Sequence, residues 1–287
     1  MPRFAVVIPH YNDLDRLMRC LEALMVQDLS ETEVIVADNA SSVDLSVVAA
    51  KFPEVRLVTQ PEKGAAAARN KGVEDSQAEW VFFLDADCVP RPGWTLAAKR
   101  IAGADPHRIT GGQIEVFDET PRPRSGAEAF ETVFAFDQES YVRDKGFSVT
   151  ANLVTSRATF EHVGPMIVGL SEDVEWCRRA VSKGHPLAYD PDLRVAHPTR
   201  QDWPALAKKW RRMTEEGFGL NGSGPTRRLI WAARAVLMPL SVLAHLPKVL
   251  RHPALSGREK GRAAVMLLRI RLQRMIWMLR QAGAARL

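Results

Sequence analysis

The sequence has few cysteines, and their positions exclude the usual cysteine-built structures. Three occur in 287 residues, Cys20, Cys88 and Cys177, with no CxxC pair and no Cys/His cluster at zinc-ligand spacing. A disulfide framework and a structural zinc site are therefore not expected. The opening residues, MPRFAVVIPHYN, also lack an apolar stretch of signal-peptide length and a cleavage site. We therefore expect a cytoplasmic protein in a reducing compartment.

Two common phosphate-binding loops are also absent. Residues 62–72, EKGAAAARNKG, are rich in glycine and alanine but lack the Lys-Ser/Thr ending of a P-loop and the GxGxxG of a dinucleotide fold. The pattern indicates an alanine-rich helix, with Arg69 as a cation inside its apolar run. Arg69 either extends toward solvent or binds an anionic or uracil-like ligand.

Acidic residues are scarce toward the C-terminus. Residues 203–287 carry 17 Lys and Arg against 3 Asp and Glu, a balance of +14, whereas residues 1–202 carry 22 against 31, a balance of −9. The acidic body suits a metal ion or a cation-bridged ligand. The basic part suits an anionic lipid surface, with nucleic acid as the alternative.

The basic part also contains apolar stretches. Residues 229–246 are long enough to cross a bilayer, but Arg234 and Pro239 interrupt them, which argues against a simple spanning helix. Residues 262–280 interleave Met, Leu, Ile and Trp with Arg, the composition of a helix lying in a membrane interface. A helix that covers the body with its apolar side is the alternative. Because this composition favours lipid and no aromatic platform is apparent, we expect an anionic membrane surface as partner and no nucleic acid.

Four short apolar segments alternate with stretches of helical spacing in the first part of the chain. These segments are residues 4–9, 33–38, 55–60 and 80–85. Strands alternating with helices predict βαβ units and a parallel sheet. Polar residues come directly at the ends of three segments, at positions 10–13, 38–41 and 85–87. Since ligands bind beyond the carboxyl ends of strands in such sheets, we expect these residues to converge on one edge.

Asp85 and Asp87 follow an apolar run, Trp80 to Leu84, that predicts a strand buried on both faces. Because the two aspartates lie two positions apart, their carboxylates project to the same side where the pleat continues. Like charges this close repel, so a cation is expected beside them. Mg²⁺ or Mn²⁺ prefers oxygen ligands and completes its shell with phosphate oxygens and water. A DxD pair alone is a weak signal, because most such pairs lie in surface loops.

The chain is less regular between the fourth strand and the basic part. The patterns predict a strand at 109–117, a loop at 121–126, a helix at 127–142, a strand with a short helix within 147–164, and a helix at 171–184. Glu172 and Asp173 open this last helix, where they either complement the helix dipole or include a general base. His197 is either a buried structural histidine or a third metal ligand.

Seven motifs follow one another along the first 200 residues. They are VVIPHYN (6–12), VIVADNAS (34–41), GAAAARNKG (64–72), FLDAD (83–87), TANLVTSRATFEHVG (150–164), SEDVEWCRRAVSKG (171–184) and LRVAHP (193–198). This order resembles that of the family 2 glycosyltransferases, which are inverting enzymes with the GT-A fold. Each motif is loose, but seven in sequence are highly specific.

The resemblance implies an α/β protein with the GT-A fold, a Rossmann-like and mostly parallel sheet flanked by helices. It implies a nucleotide-sugar-binding half at 1–112 and an acceptor-binding half at 113–202, followed by a basic helical extension at 203–287. The implied enzyme moves a sugar from a nucleoside-diphosphate donor to a saccharide or lipid-linked acceptor, in polysaccharide or glycolipid assembly. We expect it to be peripheral on the inner face of the cell membrane.

Residue roles also follow from the resemblance. The nucleotide-sugar site comprises Pro9, Tyr11 and Asn12 around the nucleoside, Asp38 and Arg69 at the base, and Asp85 at the ribose. Asp87 binds Mn²⁺ or Mg²⁺ that bridges the diphosphate, with His197 as a further ligand. Asn152 and Glu172 position the sugar or the acceptor, and Asp173 is the catalytic base.

Two departures from the family pattern bear on this interpretation. The loop before SED reads GPMIVGL in place of the frequent Gly-Gly-Phe, and AKKWRR at 207–212 only echoes the Gln-x-x-Arg-Trp of processive members. We therefore expect an enzyme that adds a single sugar. A sugar-nucleotide nucleotidyltransferase is one alternative, although its usual Gly-rich basic loop is replaced here by PHYND at 9–13. A non-catalytic nucleotide-sugar, membrane or nucleic-acid binder is the other.

Overall fold

The structure is a computed structural model that describes residues 2–221 and 224–283, so that residues 222–223 and 284–287 of the predicted extension lie outside it. Eight strands in the described ranges form one sheet in the order β3-β2-β1-β4-β7-β6-β8-β5. Their bounds are β1 (Phe4–His10), β2 (Thr32–Asp38), β3 (Val55–Thr59), β4 (Trp80–Leu84), β5 (Val89–Pro90), β6 (Ile109–Phe117), β7 (Asn152–Ser156) and β8 (Leu187–Pro198).

Helices connect these strands and make up the C-terminal part of the described chain. Those between strands are α1 (Leu14–Met25), α2 (Ser46–Lys51), α3 (Ala65–Glu74), α4 (Trp94–Ala102), α5 (Gly126–Phe134), α6 (Gln138–Lys145), α7 (Arg157–Val163) and α8 (Glu172–Ser182). After β8 come α9 (Trp203–Asn221), α10 (Pro225–Leu237), α11 (Ser241–Leu250) and α12 (Gly257–Gly283).

The first four strands confirm the predicted alternation of strands and helices. β1 pairs in parallel with β2 and β4, and β2 pairs in parallel with β3. Every residue of β4 is buried, as expected for a strand covered on both faces. Beyond β4 the sheet turns antiparallel, because β7 runs against both β4 and β6, and β5 runs against β8.

The prediction of one helix over residues 127–142 is wrong. The segment forms two helices, α5 and α6, because Asp137 between them leaves the helical region with φ −140° and ψ 62°. A capping box fixes the start of α5: Ser125 accepts a hydrogen bond from the Glu128 backbone, and the Glu128 side chain accepts one in return from the Ser125 backbone. The predicted strand within 147–164 begins only at Asn152.

The chain divides into two compact units. The sheet unit comprises the residues up to Glu115 together with Asp137–His197, and the helical unit comprises Val116–Phe136 together with the chain from Pro198 onward. The segment 116–136, which the sequence places in the acceptor-binding half, therefore packs with the C-terminal helices. Compact units and functional halves are different divisions, so the predicted halves stay a prediction.

Each unit has its own core. In the sheet unit, α3 lies so close to β1 that a side chain at Gly72 would collide with Val7, which is why this helix carries a glycine. In the helical unit, Phe130 of α5 is buried among apolar residues of α9, α11 and α12. The buried members of this cluster are Ala127, Ala129, Phe130, Val133, Leu206, Val249, Leu255, Ala263, Leu267 and Ile270.

Among the described residues, no helix is by itself long and apolar enough to cross a bilayer. Helices α10 and α11 meet the length and composition criteria only as a pair, and they are bent by 48° relative to each other. The break falls at residues 238–240, which include Pro239.

Candidate active site at the carboxyl edge of the sheet

Asp38, the last residue of β2, is held by two polar neighbours. Because β1 and β2 pair in register, His10 lies opposite Asp38, and its Nδ1 is 3.0 Å from Asp38 Oδ1. The Ser41 backbone N–H donates to Asp38 Oδ2 at 3.1 Å, and the Ser41 hydroxyl donates to Oδ1. Burial disfavours the charged carboxylate, but these hydrogen bonds outweigh burial and hold the pKa of Asp38 below its ordinary value. Asp38 is thus an ionised hydrogen-bond acceptor at the edge of the sheet.

The turn after β1 presents an aromatic ring at the same edge. Pro9 lies within β1 opposite Ala37, and Tyr11 follows with 54% of its surface exposed. Lys63 Nζ lies 4.2 Å from the centroid of the Tyr11 ring. Asn12 has φ 52°, a left-handed conformation that Asn adopts more readily than most residues, and its side-chain oxygen accepts from the Ser42 backbone N–H at 2.7 Å. The position of the turn is therefore fixed by the segment that follows β2.

Arg69 joins carboxylates from two separate parts of the sheet unit. It lies in α3 and is only 3% exposed. Its Nη2 donates to Asp85 Oδ1, and its Nη1 donates to Glu172 Oε1 at 2.9 Å. Burial alone would lower the pKa of Arg69, but Asp85, Glu172 and Asp173 raise it above its ordinary value, so the guanidinium stays charged. Arg69 therefore does not extend toward solvent, which was one of its two predicted roles.

Asp173 lies in the first turn of α8 beside this cluster. Its surface is half-buried, and its Oδ1 lies 3.4 Å from the Thr150 hydroxyl. Burial, the largest cause, and repulsion from Glu172 raise the pKa of Asp173 to about 7, against the attraction of Arg69, which lowers it. A carboxylate with a pKa near neutrality matches what a general base requires at physiological pH.

Asp87 and His197, the two predicted metal ligands, lie side by side. His197 Nε2 is 3.1 Å from Asp87 Oδ2; the histidine side chain is 5% exposed and that of the aspartate 26%. The contact brings together a carboxylate and an imidazole, two ligand types that would together hold a divalent ion. In residues 2–221 and 224–283, no group of three or more His, Cys, Asp or Glu has metal-binding geometry. Phosphate oxygens and water commonly fill the other positions of such an ion.

Asn152 occupies a different setting from the one predicted for it. It is 0% exposed, and its amide donates to the backbone oxygens of Gln113 and Leu193 at 3.0 and 2.8 Å. Its side-chain oxygen accepts from the indole N–H of Trp94 at 2.8 Å. Because all these groups are used to join β6, β7 and β8, direct contact of Asn152 with sugar or acceptor is incompatible with this packing. The predicted contribution of Asn152 to positioning the sugar or the acceptor stays a prediction, and in this packing it would act through β6, β7 and β8 rather than by direct contact.

The structure thus places the remaining predicted residues at the ends of β1, β2, β4 and β8, in α3 and at the start of α8. Sequence reasoning missed three contributors: His10 and Ser41 as partners of Asp38, and Thr150 as partner of Asp173. His10 and Ser41 belong to the polar clusters at the ends of the strands. The sequence pattern therefore marked them as polar residues at the sheet edge, but it did not distinguish residues that bind a ligand from residues that hold Asp38 in place. No sequence pattern pairs Thr150 with Asp173.

Solved structures identify the fold. A mannosyltransferase from Pyrobaculum calidifontis, PcManGT, solved in complex with GDP-Man and Mn²⁺, matches with a TM-score of 0.60 at 18% identity, over 98% of this chain and 86% of that one. GalNAc-T7, solved with UDP, GalNAc and Mn²⁺, matches with a TM-score of 0.55 at 18% identity, over 73% of this chain and 48% of that one. The fold is that of a GT-A glycosyltransferase, as predicted.

Sequence comparisons then define the family. The profile described as Glycosyl transferase family 2 matches residues 5–175, and the chain belongs to this family. Glycosyltransferase AglE of Haloferax volcanii is 29% identical over 220 residues, which cover 74% of this chain and 72% of that protein. The pre-mycofactocin glycosyltransferase of Mycobacterium tuberculosis is 29% identical over 217 residues, or 70% of this chain and 44% of that protein. The chain is accordingly a family 2 glycosyltransferase.

Proposed function

We propose that this glycosyltransferase transfers a sugar from a nucleoside diphosphate to an acceptor hydroxyl with inversion, and that Asp173 is the base. The observation that carries this proposal is the setting of Asp173 at the start of α8, beside Thr150, Glu172 and Arg69, where burial and repulsion from Glu172 raise its pKa to about 7. Arg69 links its neighbour Glu172 to Asp85 at the end of β4, so the base lies beside the predicted donor site. This arrangement supports proton abstraction next to the bond that breaks.

The donor side is assigned to the edge of the parallel strands. Pro9, Tyr11 and Asn12 form the wall of the nucleoside pocket, and the ionised Asp38 accepts a hydrogen bond from an N–H of the base. Arg69 lies beside the nucleoside and keeps Asp85 oriented toward the ribose. The proposal of a nucleotide-sugar donor is further supported by the complexes of the two structurally similar proteins, which contain GDP-Man in one case and UDP with GalNAc in the other.

Asp87 and His197 are proposed to hold a divalent ion, Mn²⁺ or Mg²⁺. Their carboxylate and imidazole, which lie 3.1 Å apart, are ligand types that fit such an ion, and both similar structures contain Mn²⁺. When bound, the ion supplies positive charge to the diphosphate that leaves.

The proposed inversion rests on different roles for the carboxylates of Asp173 and Glu172. Asp173 takes the proton from the acceptor hydroxyl while that oxygen attacks the anomeric carbon from the face opposite the diphosphate, so one displacement inverts the centre. Glu172 is held by Arg69 and is proposed to orient the acceptor rather than accept its proton. We propose a saccharide or lipid-linked acceptor, a single addition per acceptor, and a place in polysaccharide or glycolipid assembly.

Two measurements test this proposal. A thermal-shift screen of UDP, GDP and TDP with and without Mn²⁺ is expected to show stabilisation only when the correct nucleotide and the ion are both present. NMR of the product formed from the matching sugar nucleotide is expected to show an inverted anomeric configuration. Glu175→Gln serves as a control on the same helix, because Glu175 pairs with Arg179 and should leave transfer intact. Retention of configuration would contradict the role of Asp173.

A further inference from the structure

Helices α10 and α11 expose an apolar stripe to solvent. Its members follow one another at intervals of three or four residues, the spacing of one helical face: Leu229, Ala233, Val236, Leu240, Leu243, Pro247 and Leu250. All seven are exposed, and Leu229 and Leu243 reach 72%. The opposite side of α10 is the packed one, where Trp231 and Ala235 are buried against Met278 of α12. The stripe therefore is the outer face of these helices and not their packing side.

The same helices are strongly cationic. Residues 225–283 contain 12 Lys and Arg and one acidic residue, Glu259. Glu259 is 3% exposed, and its carboxylate accepts hydrogen bonds from the backbone of Arg124 and from Ser256. The Glu259 carboxylate is therefore buried and hydrogen-bonded inside the helical unit. The solvent-facing side of α10 to α12 carries positive charge with no exposed acidic side chain to offset it.

In residues 2–221 and 224–283, two arginines of α12 have no carboxylate partner, and one of them, Arg271, lies at the bend between α10 and α11. Arg271 Nη1 lies 3.6 Å from Met238 Sδ at the bend, and the Arg274 guanidinium lies 4.7 Å from the centroid of the Trp210 ring. Within the described ranges, the Nε of each is buried without a hydrogen-bond acceptor. Burial, the larger cause, and the like charge of Arg271 lower the pKa of Arg274 to about 10. These two guanidiniums therefore lie inside the helical unit and add to its positive charge.

We propose that α10 and α11 lie in the interface of an anionic bilayer, with the exposed stripe among the acyl chains and the exposed cations beside it, Arg234, Lys248 and Arg251, toward lipid phosphates. Apolar residues that face outward, flanked by cations and free of acidic side chains, are what an interfacial helix requires. RNA would satisfy the cations but leave the stripe in water, and a second copy of this basic chain would bring like charges together. This inference concerns the helical unit and goes beyond the proposed transfer chemistry.

Flotation of the full-length protein with vesicles tests the proposal. Vesicles of phosphatidylcholine with about a third phosphatidylglycerol are expected to bind the protein, and pure phosphatidylcholine vesicles much less. Leu240→Glu with Leu243→Glu should weaken binding more than about tenfold, because two apolar anchors become anionic. Arg234→Gln and Lys248→Gln should each weaken it about fivefold, because each removes an exposed cation beside the stripe. Val26→Glu with Leu96→Glu is the matched control, since both residues are exposed apolar positions of the sheet unit, at 85% and 58%.

The outcomes separate the proposal from its rivals. Binding that needs anionic lipid, is lost in the Leu240 and Leu243 variant and persists in the control supports it. The proposal would be overturned if the Leu240 and Leu243 variant bound vesicles as well as the control variant, or if the protein did not bind anionic vesicles. It would also be overturned if the protein bound RNA instead of vesicles, or if it formed a dimer that the Leu240 and Leu243 variant breaks and bound no vesicles. Transfer to a water-soluble acceptor should be unchanged in these variants. A failure of the proposed transfer mechanism would therefore appear in a different measurement.

Discussion

The two units of this protein treat buried carboxylates in opposite ways. In the sheet unit, Asp173 shares Arg69 with Glu172 and Asp85, and its pKa rises to about 7, first through burial and then through repulsion by Glu172. In the helical unit, Glu131 is 1% exposed and has two cationic neighbours of its own, Lys209 and Arg200. Burial also disfavours its charge, but the two cations outweigh burial and lower its pKa.

This difference distinguishes the proposed reactive site from a structural one. Three carboxylates that share one cation leave at least one of them poorly compensated, and such a group exchanges a proton near neutral pH. The Glu131 carboxylate, which has two cationic neighbours, stays ionised and links α5 to α9 through Lys209. Burial alone thus does not identify a functional residue; the local balance of charge does.

The largest effect should come from Asp173→Asn. We expect turnover to fall by about a hundredfold or more, because the amide accepts no proton. The variant should not unfold. The raised pKa of Asp173 means that the folded protein binds more protons than the unfolded chain between pH 3.8 and about 7, so this group lowers stability as pH rises through that range.

Removing its charge should therefore raise the melting temperature at pH 8 while activity is lost. Initial rates with the matching sugar nucleotide, together with thermal melts at pH 5 and pH 8, measure both effects. Full activity in Asp173→Asn would assign the base elsewhere, and a lower melting temperature at pH 8 would contradict the charge balance described above.

The next largest effect should come from Arg69→Gln. Its loss leaves Asp85 and Glu172 without their shared cation, and removing one partner of a buried ion pair typically costs about 3–5 kcal/mol of the free energy of unfolding. The pKa of Asp173 should rise further, because Arg69 is the charge that lowers it. Urea denaturation and the pH–rate profile measure these two effects. An unchanged profile would show that Arg69 does not act on the base.

A pair of glycine substitutions compares the rigidity of the two units. Gly112→Ala in β6 would place a methyl group against the Leu193 backbone oxygen and the Asn152 amide, which are fixed in the sheet, so we expect a loss of about 1–3 kcal/mol. Gly126→Ala in α5 meets the flexible end of Met266 at 3.0 Å, so we expect a change within about 1 kcal/mol. Equal losses in denaturant melts would contradict this contrast.

The smallest effect should be seen in acid. Since the folded state lowers the pKa of Glu131 below its ordinary 4.5, the stabilisation from this group is present above that pH and is lost as pH falls through the lower, folded value. Glu131→Gln should therefore reduce the dependence of the melting temperature on pH below about 4.5. An unchanged acid dependence would show that other carboxylates dominate it.

The parallel part of the fold could be predicted from sequence because its signals are local. Alternating apolar runs and helical spacing located β1 to β4, and the polar residues after each strand located the edge of the sheet. The hydrogen bonds of Asn152 could not be predicted, since its partners Trp94, Gln113 and Leu193 lie far away in the chain. The hydrogen bonds of Arg69 to Asp85 and Glu172 could not be predicted either, since these residues also lie far from each other in the chain.

The helical unit was harder to predict for a related reason. The family resemblance places residues 116–136 in the predicted acceptor-binding half, and in the structure they pack in the helical unit. Only tertiary packing shows that Phe130 belongs to the core built by α9, α11 and α12. The helical spacing of apolar residues also predicted one helix where the structure has α5 and α6. The non-helical backbone of Asp137 leaves no strong sequence signal that would mark the break.

The construction of the helical unit from two distant stretches of chain also limits how the enzyme is dissected. A protein cut before Trp203 would keep α5 but lose Leu206, Val249 and Leu267, so that Phe130 and its apolar neighbours would face water. Such a fragment is expected to aggregate. Its inactivity would therefore give no information about the transfer reaction or about lipid binding. Single-residue changes on an intact chain are the cleaner tool, and a designer who wishes to exchange this module between enzymes must move both stretches together.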